Sequence, residues 1–324
     1  MAQRHASKRQ RHRRRILGAA LLVVVVAAGI AGVLASRSSL SLPSSRVAAR
    51  RSGGQDATGT VASTTTSSTS TTTSTTTSTT SPDQATGLFA TATVEEYLQA
   101  QDSDINAAVL NLGTGQLSLY RPSALEYTAS IVKVDILATL LHQAAQLGAA
   151  LNDGESDLAT TMIENSDDNA ATDLWDDINQ QSGLAAFNSL IPLPDTDPGT
   201  DGHWGGTTTT GADQISLLRQ LVQPSNVLTP SAQSYELGLM ESVEADQAWG
   251  VSAGVPTGVT VALKNGWLPL EDDGDWQVNS IGWVDGDGRN YLIAVLTKNN
   301  DTEQSGITTV EGLSTLVWNA LASS

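Results

Sequence analysis

Cysteine is absent from all 324 residues. Its absence excludes disulfide staples, thiolate nucleophiles and sulfur-ligated metals. Histidine is nearly as scarce. His5, His12, His142 and His203 include no close pair, so the spacing needed for a zinc site is missing. Basic residues are missing from most of the chain. From Ser81 onward only Arg121, Lys133, Arg219, Lys264, Arg289 and Lys298 stand against 33 Asp and Glu, a net charge of −27. Such a surface repels nucleic acid and excludes it as a partner.

The N-terminus has the opposite character. Residues 1–51 hold 11 of the 17 Lys and Arg and no acid. Residues 1–15 form a basic head. Residues 16–35, ILGAALLVVVVAAGIAGVLA, carry no charge, and about 20 apolar residues span a bilayer as one helix. The basic flank favours the cytoplasmic side, which predicts a single-pass membrane anchor with the C-terminal part extracytoplasmic. The alternative is a signal peptide cleaved near Ala35, giving a secreted protein. Residues 36–86 read as a linker. Ser63 to Ser81 is an unbroken Ser/Thr run with nothing apolar to offset the entropy of ordering, so disorder is expected there.

Residues 87–324 read as one globular domain. Helices are expected over 93–100, 129–149, near 155–165, over 168–181, 212–222, 231–243 and 303–322. Strand patterns fall at 105–112, 116–120, 259–263, 278–285 and 291–297, the last two joined by the turn signal Asp285-Gly286-Asp287-Gly288. Residues 191–211, rich in Pro, Gly, Asp and Thr, read as a long loop of the kind that often carries function. The element order implies an α+β domain. Its antiparallel sheet takes strands from both ends of the domain, with helices inserted between them.

Three short motifs carry chemistry. Ser130-Ile131-Val132-Lys133 opens the long helix, where positions i and i+3 share a face, so Lys133 lies beside Ser130. A lysine so placed takes the serine proton if a dry or cationic site lowers its pKa. Ser166-Asp167-Asp168 falls between two short helices. Lys264-Asn265-Gly266 ends a strand run, and its glycine permits close approach of another backbone. Each motif alone also reads as ordinary structure: a helix cap at Ser130 and at Ser166-Asp167-Asp168, a surface lysine at Lys264. Together they take two of the only three lysines beyond residue 51.

In this order the motifs resemble Ser-x-x-Lys, Ser-Asp-Asn and Lys-Thr-Gly, the signature of class A serine β-lactamases and penicillin-binding proteins. The stretches TASIVKVDIL, MIENSDDNAATDLW, TTTTGADQ and LKNGWL with IGWVDGDGRNYLIAVLT are similar to the corresponding family regions, over about residues 90–322. The resemblance implies an α/β sandwich with a five-stranded antiparallel sheet flanked by helices, plus a helical lobe. It implies Ser130 as acylated nucleophile, Lys133 as base, Ser166 as proton relay, and Lys264 holding the relay and the substrate carboxylate. Asp168, Asn169, Asn265, Gly266 and Trp267 would contact substrate, with the Ser130 and Trp267 N–H groups as the oxyanion hole. The implied partner is a β-lactam or a peptidoglycan stem peptide, with no cofactor and a monomeric chain.

The sequence departs from the family at three points. Asp168 stands where the family has Asn, and an ionised Asp only accepts hydrogen bonds. Asn265 replaces the third-motif Thr. Residues 185–206 contain no Glu to activate the deacylating water, which leaves Asp195, Asp197, Asp201 and His203 as candidates. A second reading follows from these departures: a catalytically weak relic of the fold that binds cell-wall peptide or an envelope protein.

Overall fold

The computed structural model describes residues 83–270 and 274–322. The expected basic head, apolar anchor and almost all of the linker lie outside the described residues. Among the described residues no helix is long and apolar enough to cross a membrane.

A five-stranded antiparallel sheet forms the centre. Its strands are β1 (Asp104–Asn111), β2 (Leu117–Tyr120), β5 (Thr260–Pro269), β6 (Trp276–Gly286) and β7 (Arg289–Asn300), in the order β2-β1-β7-β6-β5. A short pair, β3 (Glu126–Tyr127) with β4 (Thr208–Thr209), stands apart. The chain's first and last strands meet at β1 and β7, as the element order predicted. Side chains on a strand alternate between faces. On β7, Leu292, Ala294 and Leu296 join one buried cluster, and Ile293 and Val295 join the other. Both faces are therefore covered, and the strands read as continuous apolar runs.

One face carries α1 (Ala92–Ala100) and α8 (Glu303–Leu321), with Val94, Leu98, Val310, Leu313 and Val317 buried. The other face carries α2 (Val132–Gln146), α6 (Gly211–Val222) and α7 (Pro230–Glu241). Against these packs a small helical lobe of α3 (Asp153–Glu164), α4 (Asp168–Asp177) and α5 (Gln180–Asn188). Asn152 starts α3 with a capping box: its side chain accepts from Glu155 N, and the Glu155 carboxylate accepts from Asn152 N.

Three boundaries differ from the sequence reading. The helix expected over 168–181 stops at Asp177, because Asn179 and Gln180 adopt φ of 69° and 53°, outside the helical region, and α5, which the sequence reading did not expect, runs on to Asn188. The expected helix 129–149 begins as a 3-10 turn at Ala129–Ile131 and stops before Gly148, whose φ is +68°. Strand β5 runs to Pro269, so Lys264-Asn265-Gly266 lies inside it rather than at its end.

Candidate active site

Ser130 occupies the 3-10 turn ahead of α2, half-buried, and Ala129 before it has φ +47°. A non-glycine residue in that region marks a strained turn held by its surroundings. The holding groups are visible. Asn279 on β6 donates from Nδ2 to the carbonyls of Tyr127 (2.8 Å) and Thr128 (3.0 Å), and Asn279 Oδ1 accepts from Thr297 N and Gln277 Nε2. All four hydrogen-bonding positions of this buried amide are thereby used. Beside it, Glu126 is buried and paired with Lys298 at 3.2 Å; burial pushes its carboxyl up to about 7, against the pull of Lys298.

From the other side β5 closes on the same turn. A side chain at Gly266 would place its Cβ 2.7 Å from Ser130 N, 2.8 Å from Ile131 N and 2.8 Å from Thr128 O. Only glycine allows this contact. β5 is an edge strand of the sheet, and at Gly266 it packs against the Ser130 turn.

The two site lysines meet at one hydroxyl. Lys133 Nζ donates to Ser166 Oγ at 3.2 Å, to Ser166 O at 2.6 Å and to Asp168 Oδ1 at 2.7 Å. Lys264 Nζ donates to Ser166 Oγ at 2.9 Å and to Asn265 O at 2.9 Å. Ser166 is poised by its φ of +58° in the link between α3 and α4, where Asp167 caps α4 through Ala170 N. Both lysine side chains are buried. Burial lowers the Lys133 pKa, with Asp168 opposing, and drives that of Lys264 well down, assisted by the charge of Lys133. With both lone pairs of Ser166 Oγ engaged, its own proton is free to be given to a third group.

The long loop reaches this cluster by a chain of bonds. Asp213, in the first turn of α6, accepts from Asp195 N (2.9 Å) and Thr196 Oγ1 (2.7 Å). Asp197 and Thr208 bond through their backbones, and Thr207 O accepts from Thr128 N at 2.8 Å. The loop is thus tied to the Ser130 turn. It carries Trp204, whose ring lies 4.9 Å from Lys133 Nζ and whose Nε1 donates to Thr172 Oγ1. A tryptophan set among glycines was the sequence signal for this residue, and the polar Gln277 and Asn279 inside an otherwise apolar strand were the signal for the turn's support.

The structure thus gathers Lys133, Ser166, Asp168 and Lys264 into one bonded cluster and sets Gly266 against the Ser130 turn. Asn169 is exposed on the first turn of α4, and Trp267 is half-buried against Trp249 at 5.8 Å. The Asn265 side chain is engaged elsewhere: its Nδ2 donates to Gln247 O (2.7 Å) and Trp249 O (3.1 Å), fastening the loop before β5. Alternation along β5 accounts for this, since Lys264 and Gly266 share the other face. Asp195, Asp197, Asp201 and His203 are exposed, and among the described residues no side-chain hydrogen bond or ion pair joins them to the cluster. No group of His, Cys, Asp and Glu suited to a metal occurs among the described residues.

Comparison with known proteins agrees with this architecture. The family described as "Beta-lactamase enzyme family" matches residues 155–321, just over half of the chain, and includes Ser166 and Lys264. The protein belongs to the β-lactamase enzyme family. Chains called LppW in Mycobacterium tuberculosis and Mycobacterium bovis, whose names class them as lipoproteins, are 26% identical over 211 residues. That alignment takes in 60% of this chain and 63% of theirs, so the chain spans less than two thirds of the length of these relatives. Among solved structures, the TLA-3 extended-spectrum β-lactamase superposes with a TM-score of 0.65 at 15% identity, over 71% of this chain and 97% of that one. A class A β-lactamase of Bacteroides cellulosilyticus gives 0.63 at 16%, over 72% and 96%. A PBP-A variant, as an acyl-enzyme complex with penicillin G, gives 0.61 at 19%, over 71% and 94%. At these identities the likeness is one of fold.

Proposed function

We propose that the protein is an extracytoplasmic serine acyltransferase or hydrolase that forms an acyl-enzyme on Ser130 with a β-lactam or a peptidoglycan stem peptide. The observation that carries this reading is the sharing of Ser166 Oγ by Lys133 at 3.2 Å and Lys264 at 2.9 Å, one helical step from a serine in a strained turn. In this scheme Lys133 acts as its neutral amine, the form that burial favours; it releases one of its three hydrogen-bond contacts and removes the Ser130 proton as Oγ attacks the carbonyl. The oxyanion lies between the N–H groups of Ser130 and Trp267, where Gly266 lets the edge strand approach. Ser166 passes its free proton to the leaving nitrogen and is resupplied through the lysines.

The acyl-enzyme in this proposal is long-lived, like that of a penicillin-binding protein. Water needs a base to attack the ester, and the loop carboxylates Asp195, Asp197 and Asp201 are exposed, with no side-chain bond to the cluster among the described residues. Trp204 presents an apolar ring on the loop side of the same lysine. Residues 16–35 are the proposed anchor, with the domain outside.

A chromogenic cephalosporin tests this directly. Colour should be released in about one equivalent per protein and then nearly stop, while the covalent adduct persists in the intact mass. Continued rapid turnover would refute the long-lived intermediate. Neither colour nor adduct would refute the acyl-enzyme itself and favour the wall-binding reading.

A further inference from the structure

Asp168 is placed unlike the other polar groups of the cluster. Its partner Lys133 is fully buried, but 76% of the Asp168 side chain is exposed. Oδ1 holds Lys133 at 2.7 Å, and Oδ2 accepts no hydrogen bond among the described residues. A carboxylate is therefore fixed at the mouth of the site with one oxygen open to whatever enters. Among the described residues the other basic side chains are engaged elsewhere. Arg121 is paired with Asp104, Arg289 with Asp287 and Lys298 with Glu126, and Arg219 Nε donates to Gln223 on its own helix. Farther along α4 stand Asp173, Asp176 and Asp177, all exposed. The result is a floor of two lysine amines, Lys133 and Lys264, beneath a carboxylate, Asp168, at the rim.

We infer that Asp168 makes this site select acyl donors that carry a cationic group beside the scissile amide and reject those that carry an anionic one. This rests on the acyl-enzyme reading above and adds the substrate class to it. A donor suited to both levels is bipolar, with its carboxylate toward the lysines and an ammonium toward Asp168 Oδ2. A free-amine peptide or an amino-penicillin meets that description. A unit charge a few ångströms from a partly solvated partner changes a rate by about tenfold.

The test compares second-order acylation rates of the full chain with three penicillins that differ in side-chain charge. At about pH 6.5 ampicillin carries an α-ammonium, penicillin G is neutral there and carbenicillin carries a carboxylate. The expected order is ampicillin, penicillin G, carbenicillin, with about tenfold or more between first and last. In D168N the three rates should converge to within about threefold, whatever happens to their common level through Lys133. Using ratios separates selection by Asp168 from its effect on the base. Glu303→Gln, which removes a charge at the start of α8, should leave the order intact. Three equal rates in the unmodified protein, or an order that survives D168N, would overturn the inference and leave the acyl-enzyme standing. No adduct with any penicillin would overturn both.

Discussion

Adding one methyl group at Gly266 should disable the site while leaving the fold in place. Its Cβ would lie 2.7–2.8 Å from Ser130 N, Ile131 N and Thr128 O. A carbon meets such atoms at about 3.3–3.6 Å, so β5 and the turn must part by roughly half an ångström or more. All three obstacles are backbone atoms, and no side-chain rotation relieves them. Overpacking of this kind costs about 1–3 kcal/mol, a fall in Tm of about 2–10 °C for a domain of this size. The effect on chemistry should be larger than the effect on stability. A misplacement of about 1 Å costs about a hundredfold in rate, so G266A should slow acylation of Ser130 by on the order of ten- to a hundredfold. Quenched time points read by intact mass give the rate, and circular dichroism gives the Tm. Gly238→Ala is the control. Gly238 lies in α7 with nothing within 4 Å of its would-be Cβ, and alanine there should cost nothing. A G266A protein with wild-type acylation rate and Tm would refute the close contact between edge strand and nucleophile turn.

Other expectations concern the surrounding groups. Asn279→Ala should remove both clamps on the Tyr127 and Thr128 carbonyls, lowering stability by about 1–3 kcal/mol in denaturant titration and slowing acylation with it. Lys264→Ala should reduce the acylation rate by about a hundredfold or more at an unchanged far-ultraviolet spectrum. The acylation rate should rise with pH, with its midpoint below the ordinary lysine range, because burial lowers Lys133; D168N removes the opposing charge and should move that midpoint lower still. Stability should show a separate pH dependence. Burial raises the Asp135 carboxyl to about 7 and places Glu236, which faces the charge of Asp135, well above its usual range. Below the unfolded-state carboxylate pKa values this stability is fully present. It falls as pH rises from about 4 through 7, where the unfolded chain ionises and the folded pair does not. Tm should therefore be higher at about pH 5 than at about pH 8, and Glu236→Gln should flatten that difference in a thermal melt series.

Much of this arrangement was legible in the sequence because it rests on local signals. The alternation on β7 and the Asp287-Gly288 turn placed the hairpin. The scarcity of lysine singled out Lys133 and Lys264, which do meet at Ser166 Oγ. The remainder depends on atoms far apart in the chain. Asn265 sits in a motif that suggested substrate contact, but strand alternation turns it to the loop carbonyls of Gln247 and Trp249. The break at Asn179 and Gln180 follows from their left-handed backbone, and nothing in the helical periodicity of 168–181 announced it. Trp204 reaches Lys133 only because Asp213 and Thr207 tie the loop down from opposite ends. Asp195, Asp197, Asp201 and His203 had the right chemistry for activating water, but that same anchoring leaves them at the surface.

Everything proposed for this site depends on Ser130 being a nucleophile served by two buried lysines. The most direct test of that role is proteolytic mapping of the protein after incubation with penicillin G, with the mass of each peptide recorded. One added penicilloyl group is expected on the peptide containing Ser130 and none in Ser130→Ala. An adduct on any other residue, or the same adduct persisting in Ser130→Ala, would contradict it.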